Sequence, residues 1–188
     1  MRIVGGKYRN RRIVPPKGIE ARPTTDYAKE GLFNILHHSA VLEGIRVLDL
    51  FAGTGSISLE FLSRGAEHVT AVEQDAKLFA HLKRTCESLE ETTWHLVKSD
   101  VFAFLRSHRG TYDIVFADPP FYMEGTAKLP TLVQEAGLLG KDGLLIVEHP
   151  KDTDMSAHPW FTKQRTYGAV HFSFFTPPTP SPDPAGTK

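Results

Sequence analysis

Between residues 45 and 149 the chain alternates short, continuously apolar runs with segments of helical periodicity, and this alternation narrows its possible folds more than any other feature. The runs IRVLDLF, HVTAVEQ, TWHLVKS, YDIVFAD and GLLIVEH have strand length and are apolar on successive residues. That pattern belongs to strands covered on both faces. Residues 55–64, 75–89, 101–107 and 129–139 read as the intervening helices, the second with Leu78, Leu82 and Leu89 inward. Strands that alternate with amphipathic helices predict an α/β fold around a parallel sheet. Ahead of this region, Thr25 is placed to cap a helix ending near His38, with Tyr27, Leu32, Phe33, Ile35 and Leu36 along its inner side. Behind it, KQRTYGAVHFSFF offers two strand-like runs around Gly168 with no helix between them, so a hairpin should add antiparallel strands at one edge.

A chain of 188 residues can bury a full core as one domain. The domain is expected over residues 1–176, with a disordered Pro-rich tail at 177–188; TPPTPSPDPAGTK places five prolines in its thirteen residues. Its one cysteine, Cys86, excludes an internal disulfide and a cysteine-based zinc site. No stretch approaches the roughly 20 apolar residues that span a bilayer, and MRIVGGKYRNRR lacks a signal-peptide core. A cytoplasmic protein without a membrane partner is expected, with no metal centre. The balanced charge hides an asymmetry. Residues 1–22 carry seven Lys and Arg against Glu20 alone, so this arm has a net charge of +6. Interleaved Ile3, Val4, Tyr8, Ile13 and Val14 allow the arm to fold, and IVGG and RRIV read as a short β-hairpin. It would present Arg2, Lys7, Arg9, Arg11 and Arg12 to a polyanion, since guanidinium forks suit phosphate oxygens.

Where the first apolar run meets its helix stands DLFAGTGS. Gly53 and Gly55 permit a tight turn and a close ligand approach, and the helix N-terminus beyond offers free N–H groups. Glu73 follows Gly53 by twenty residues, at the end of the second run, where a carboxylate can accept from both ribose hydroxyls. The dinucleotide fingerprint wants a third glycine where Ser58 stands, so no pyrophosphate need be cradled. That favours S-adenosylmethionine over NAD. Asp49 could accept from a methionine ammonium and Asp100, ending the third run, from an adenine amine. Phe51 and Val101, beside these acids, complete the candidate cofactor set. Asp75 reads as the cap of the second helix, Cys86 as packing, and His149 as a rim histidine.

Asp118-Pro119-Pro120-Phe121 closes the fourth run, at the sheet edge where open α/β folds bind ligands. The prolines fix φ and remove N–H groups, so the loop presents carbonyls and a carboxylate without competing donors. An aromatic amine is a poor nucleophile because its lone pair is delocalised. Acceptors on its two N–H groups favour pyramidalisation and free that lone pair. Phe121 can stack on the base.

DLFAGTGS with VEQD, SDVF and DPPF resembles the Rossmann-like S-adenosylmethionine-dependent methyltransferases that act on exocyclic amines. More narrowly, MRIVGGKYRNRRIVPP, RPTTDYAKEGLFNIL and VLDLFAGTGSISLEFLSRGA resemble the RsmD family, whose members methylate guanine N2 in small-subunit (16S) ribosomal RNA. The resemblance implies a seven-stranded sheet whose last pair is antiparallel, and places Arg22, Thr24 and Thr25 near the cofactor's methionine end. It implies ribosomal RNA or a ribosomal particle as partner and S-adenosylhomocysteine as product; a monomer is expected. YMEGTAKLP after Phe121 is short and poor in basic residues, which shifts RNA grip to the arm. A DNA adenine N6 methyltransferase and a non-catalytic RNA-binding assembly factor are the alternatives.

Overall fold

The computed structural model describes residues 2–18, 26–39, 41–121 and 123–178. Arg22, Thr24 and Thr25, the proposed helix cap included, lie outside the described residues, as does most of the Pro-rich tail. Seven strands form one sheet in the order β3-β2-β1-β4-β5-β7-β6. They are β1 (Arg46–Asp49), β2 (His68–Glu73), β3 (Trp94–Lys98), β4 (Tyr112–Ala117), β5 (Leu139–His149), β6 (Phe161–Tyr167) and β7 (Val170–Phe175). The first five are mutually parallel, and β7 runs antiparallel to both β5 and β6. The expected Rossmann-like α/β architecture is therefore present, including the late antiparallel pair.

Alternating side chains sort the sheet into two apolar faces. Val47, Ile114, Phe116, Ile146, Phe172 and Phe174 point to one, joined by α1 (Asp26–Ser39), α2 (Ser56–Ser63) and α3 (Ala76–Leu89). Leu48, Val115, Leu145 and Val147 point to the other, covered by α4 (Val101–Ser107) and α5 (Leu129–Glu135). Asp75 caps α3, its Oδ1 accepting from the Lys77 and Leu78 N–H groups at 2.8 and 2.9 Å. Helix α5 is shorter than its apolar pattern predicted. A 3-10 turn, Thr126–Lys128, precedes it, and Gly137 turns left-handed soon after it ends.

All eight residues of α2 are buried, because the sheet lies beneath it and the N-terminal arm lies over it. The arm closes as a hairpin on a single antiparallel bridge, Arg2 to Arg12, with Gly6 and Asn10 at positive φ. It docks through polar contacts. The Val4 and Gly5 N–H groups donate to the Glu60 carboxylate at 3.0 and 2.8 Å, and Lys7 N–H donates to the Ser63 carbonyl at 2.7 Å. Glu60 is fully buried, with the Lys29 ammonium 3.7 Å away and the Arg64 guanidinium 3.0 Å away. Lys29 is itself buried and donates to the Ser56 hydroxyl, so arm, α1 and α2 share one ionic anchor. Tyr27 does not face the core as its spacing predicted; it is 68% exposed. No helix among the described residues is long and apolar enough to cross a membrane.

Candidate active site

The strand order reverses direction between β1 and β4, and the glycine loop and the Asp118–Phe121 element leave the sheet side by side there. Crevices at such a switch point are where open α/β sheets hold ligands. The loop is tied to both neighbours of β1: Leu50 N–H donates to the Phe116 carbonyl and Ala52 N–H to the Val72 carbonyl, each at 2.9 Å. Gly55 donates back to Ala52 at 2.7 Å, closing a tight turn before α2 begins. Gly55 has φ +80°, and a Cβ there would come within 2.7 Å of the Trp94 ring and 2.8 Å of the Leu82 side chain. No side chain fits beneath the loop. At Gly53, φ +53°, a Cβ would meet nothing closer than the Phe51 carbonyl at 4.0 Å, so that side is open.

Glu73 ends β2 with both oxygens engaged by the backbone. Oε2 accepts from Gly53 N–H at 2.8 Å and Oε1 from Asp75 N–H at 2.7 Å. Burial pushes its carboxyl above the ordinary value, against the lowering effect of those donors. An ionised carboxylate has about four acceptor positions, so two remain for a vicinal diol. Asp49, 1% exposed, accepts from the Ser58 hydroxyl through Oδ2 at 2.6 Å, while Oδ1 has no hydrogen-bond partner. Burial, helped by the Glu73 charge, pushes its carboxyl up to about 6 against the Ser58 hydrogen bond. An orphaned buried acceptor calls for a donor. A cofactor bearing an ammonium and a ribose fits this set: the ammonium on Asp49, the diol on Glu73.

Asp100 has a role that its position alone did not reveal. Its Oδ1 accepts from Ala103 N–H at 2.9 Å and caps α4, whose first residue, Val101, is buried. Phe51 packs half-buried against the second apolar face. Just past the end of β4, Asp118 is half-buried, Pro119 buried and Pro120 exposed, the Pro120 carbonyl accepting from Met123 N–H at 2.8 Å. Phe121 is 57% exposed beyond them. Asp49 pairs with Phe116, so Asp118 stands two residues past that pair, immediately beyond the end of the neighbouring strand.

Sequence reasoning missed Ser58 as the support of Asp49, and Glu60 as the anchor of the arm. Ser58 had a signal, since it occupies the place of the expected glycine; Glu60 had none. His149 is an internal residue and not a rim histidine. It is 3% exposed and bonded to the Ser173 hydroxyl and the Pro150 carbonyl, each at 2.8 Å, and burial lowers its pKa. In the arm, Arg9, Arg11 and Arg12 are exposed. Arg2 reaches Glu30 at 3.5 Å and Asp26 at 3.8 Å. Lys7 pairs with the buried Glu91 carboxylate at 2.7 Å, which Tyr8 OH also contacts at 2.7 Å. No cluster of three or more His, Cys, Asp or Glu able to hold a metal occurs among the described residues.

The family described as "Conserved hypothetical protein 95" matches residues 1–176. Ribosomal RNA small subunit methyltransferase D of Escherichia coli (strain K12) is 33% identical over 178 residues, covering 93% of this chain and 89% of that protein. A hypothetical protein of Thermus thermophilus superposes with a TM-score of 0.80 at 29% identity, covering 94% and 99% of the two chains. At 21% identity, a T. thermophilus 16S rRNA N2 G1207 methyltransferase, solved with AdoMet and guanosine, shares the fold with a TM-score of 0.66 over 84% of this chain and 44% of that one. A match that runs from the arm to the last strand, together with a third of the residues shared across nearly the whole length, makes this chain a member of the RsmD family.

Proposed function

We propose that the protein transfers a methyl group from S-adenosylmethionine to the exocyclic N2 amine of a guanine in small-subunit ribosomal RNA. The observation that carries this reading is the pairing, on adjacent strand ends, of a buried unpartnered Asp49 oxygen under an open glycine loop with the Asp118–Phe121 element. S-adenosylmethionine, when bound, supplies an electrophilic sulfonium methyl, so the chain's own task is to hold and prepare an amine. The Asp118 carboxylate and the Pro119 carbonyl accept from the two amine N–H groups and localise its lone pair. Phe121, exposed at the rim, stacks on the extruded base. Asp118 need not take the proton, because the methylated amine becomes acidic enough for water to receive it. Alignment and preorganised acceptors supply the rate. The relatives named as small-subunit ribosomal RNA methyltransferases support the substrate class.

Incubation with labelled S-adenosylmethionine and undermethylated small-subunit particles, followed by nucleoside mass spectrometry, tests the reading. N2-methylguanosine is the expected product. Label in adenine when duplex DNA is offered in parallel and particles stay unlabelled, or S-adenosylhomocysteine binding without transfer to either, would replace it with one of the two alternatives.

A further inference from the structure

Tyr27 breaks the pattern of its helix. The apolar spacing of α1 assigns it to the core, yet it stands 68% exposed at the mouth of a groove of about 600 Å³ between α1 and β6. Tyr27, Gly31, Asn34 and His38 form one stripe of α1 along the groove. Alternate residues of β6, Lys163, Arg165 and Tyr167, form the opposite wall. Tyr167 lies against the helix only because residue 31 is glycine: a Cβ there would stand 2.2 Å from its ring. Glycine inside a helix is destabilising relative to alanine, so this close seat is a costly feature. The Tyr27 and Tyr167 rings meet at 5.8 Å in a T-shaped pair, and Tyr27 keeps most of its surface open to solvent.

Charge and position point to the occupant. The wall acid Glu30 is paired with Arg2 of the arm, so the groove's remaining charge comes from Lys163 and Arg165. Through Arg2 and its bridge to Arg12 the groove is continuous with the basic arm. Its Tyr167 end lies at the ligand-binding edge of the sheet: Thr166 pairs with His171, and His171 with His149 at the end of β5, the neighbour of β4. Strands β4 and β6 are three ladder spacings apart, about 14 Å, a span that a few extended nucleotides cover. An exposed aromatic ring beside two cations is how proteins hold unpaired nucleic acid.

We propose that the α1–β6 groove holds a single-stranded stretch of the RNA substrate next to the target guanosine, with a base stacked on Tyr27 and phosphates on Lys163 and Arg165. The inference rests on the RNA-methyltransferase reading and adds a second contact surface to it. The test compares wild-type protein with Tyr27→Ala, Tyr27→Trp and Lys163→Gln/Arg165→Gln, using a labelled single-stranded oligouridylate across a salt series and undermethylated small-subunit particles. Tyr27→Ala should weaken oligouridylate binding about tenfold or more, and Tyr27→Trp should restore it. The double variant should reduce the log–log salt slope by about 1.4, two contacts at about 0.7 each. Both losses should appear as a higher KM on particles, with S-adenosylhomocysteine affinity retained. Wild-type affinity and slope in both variants would overturn the groove. So would unchanged oligouridylate binding with a raised KM on particles, since a ribosomal protein would then fill it. A wild-type protein that neither binds RNA nor methylates particles would instead bring down the functional reading itself.

Discussion

The crevice at the β1–β4 switch point and the surface formed by the arm, α1 and β6 use polar groups in opposite ways. In the crevice the acids are buried and fixed by short-range contacts: Glu73 by the N–H groups of Gly53 and Asp75, Asp49 by the hydroxyl of Ser58. A low-dielectric setting makes each of these groups selective and each unpaired atom costly. Across the arm, Arg9, Arg11 and Arg12 stand in solvent, and the buried charges Glu60 and Lys29 lie underneath, in an anchor completed by the half-buried Arg64. One region is preorganised for a small ligand of defined shape. The other is a rigidly mounted, solvated field suited to a large polyanion. A mutation in the first should therefore alter affinity and chemistry for one molecule, and a mutation on the surface of the second should alter salt dependence.

The largest effect should come from the anchor. Glu60→Ala strips two backbone N–H groups of their acceptor and leaves buried Lys29 unpaired, so stability should fall by about 3–5 kcal/mol in denaturant melts. Proteolysis should then cleave within the arm first. A loss under about 1 kcal/mol would mean that the arm is held by buried Ile3 and Ile13 and by its contacts to Ser63 and Glu91, not by Glu60. Asp49 should give the next largest effect, and with the opposite sign. Its carboxyl titrates near 6 instead of 3.8, so its contribution to folding is full below pH of about 4 and is lost as the pH rises through 6. Asp49→Asn should remove that loss and stabilise the ligand-free protein by about 3 kcal/mol at neutral pH. The same change should weaken S-adenosylhomocysteine binding and abolish its decline below pH of about 6. Equal stability of the two proteins at pH 8 would contradict the burial argument. The smallest effect per residue belongs to the arm's surface. Arg9→Ala/Arg11→Ala/Arg12→Ala should lower the salt slope of RNA binding by about 2, at about 0.7 per contact, and leave S-adenosylhomocysteine affinity intact. An unchanged slope would reduce these arginines to a solvated edge.

The two regions also differ in how far the sequence revealed them. Asp49 and Glu73 sit at strand ends and Gly53, Gly55 and Asp118 in the turns just beyond them, and both follow from hydrophobic runs and turn residues, which are local. The sheet and its helices were readable for the same reason. The arm and its neighbours depend on contacts far apart in the chain. Nothing near Lys7 announces Glu91, and nothing near Val4 announces Glu60. Helical spacing misplaced Tyr27 because that spacing records which side of α1 a residue occupies, not where the covering sheet stops. His149 was misread similarly, since only the antiparallel return of β7 brings Ser173 over it. Asp100 shows that one short acid can serve two demands: its Oδ1 caps α4, a local role the sequence reading passed over, and its other oxygen stays at the same turn where an adenine amine was expected.

The central claim is that Asp118 acts on the reacting amine and does not merely shape the turn. Single-turnover methylation of small-subunit particles by Asp118→Ala, with particles and S-adenosylmethionine both saturating, tests it most directly. Removal of one preorganised electrostatic contact from the transition state costs about 2.7–4 kcal/mol, so the rate should fall roughly a hundredfold to a thousandfold while S-adenosylhomocysteine still binds. A wild-type single-turnover rate in the folded variant would contradict the account.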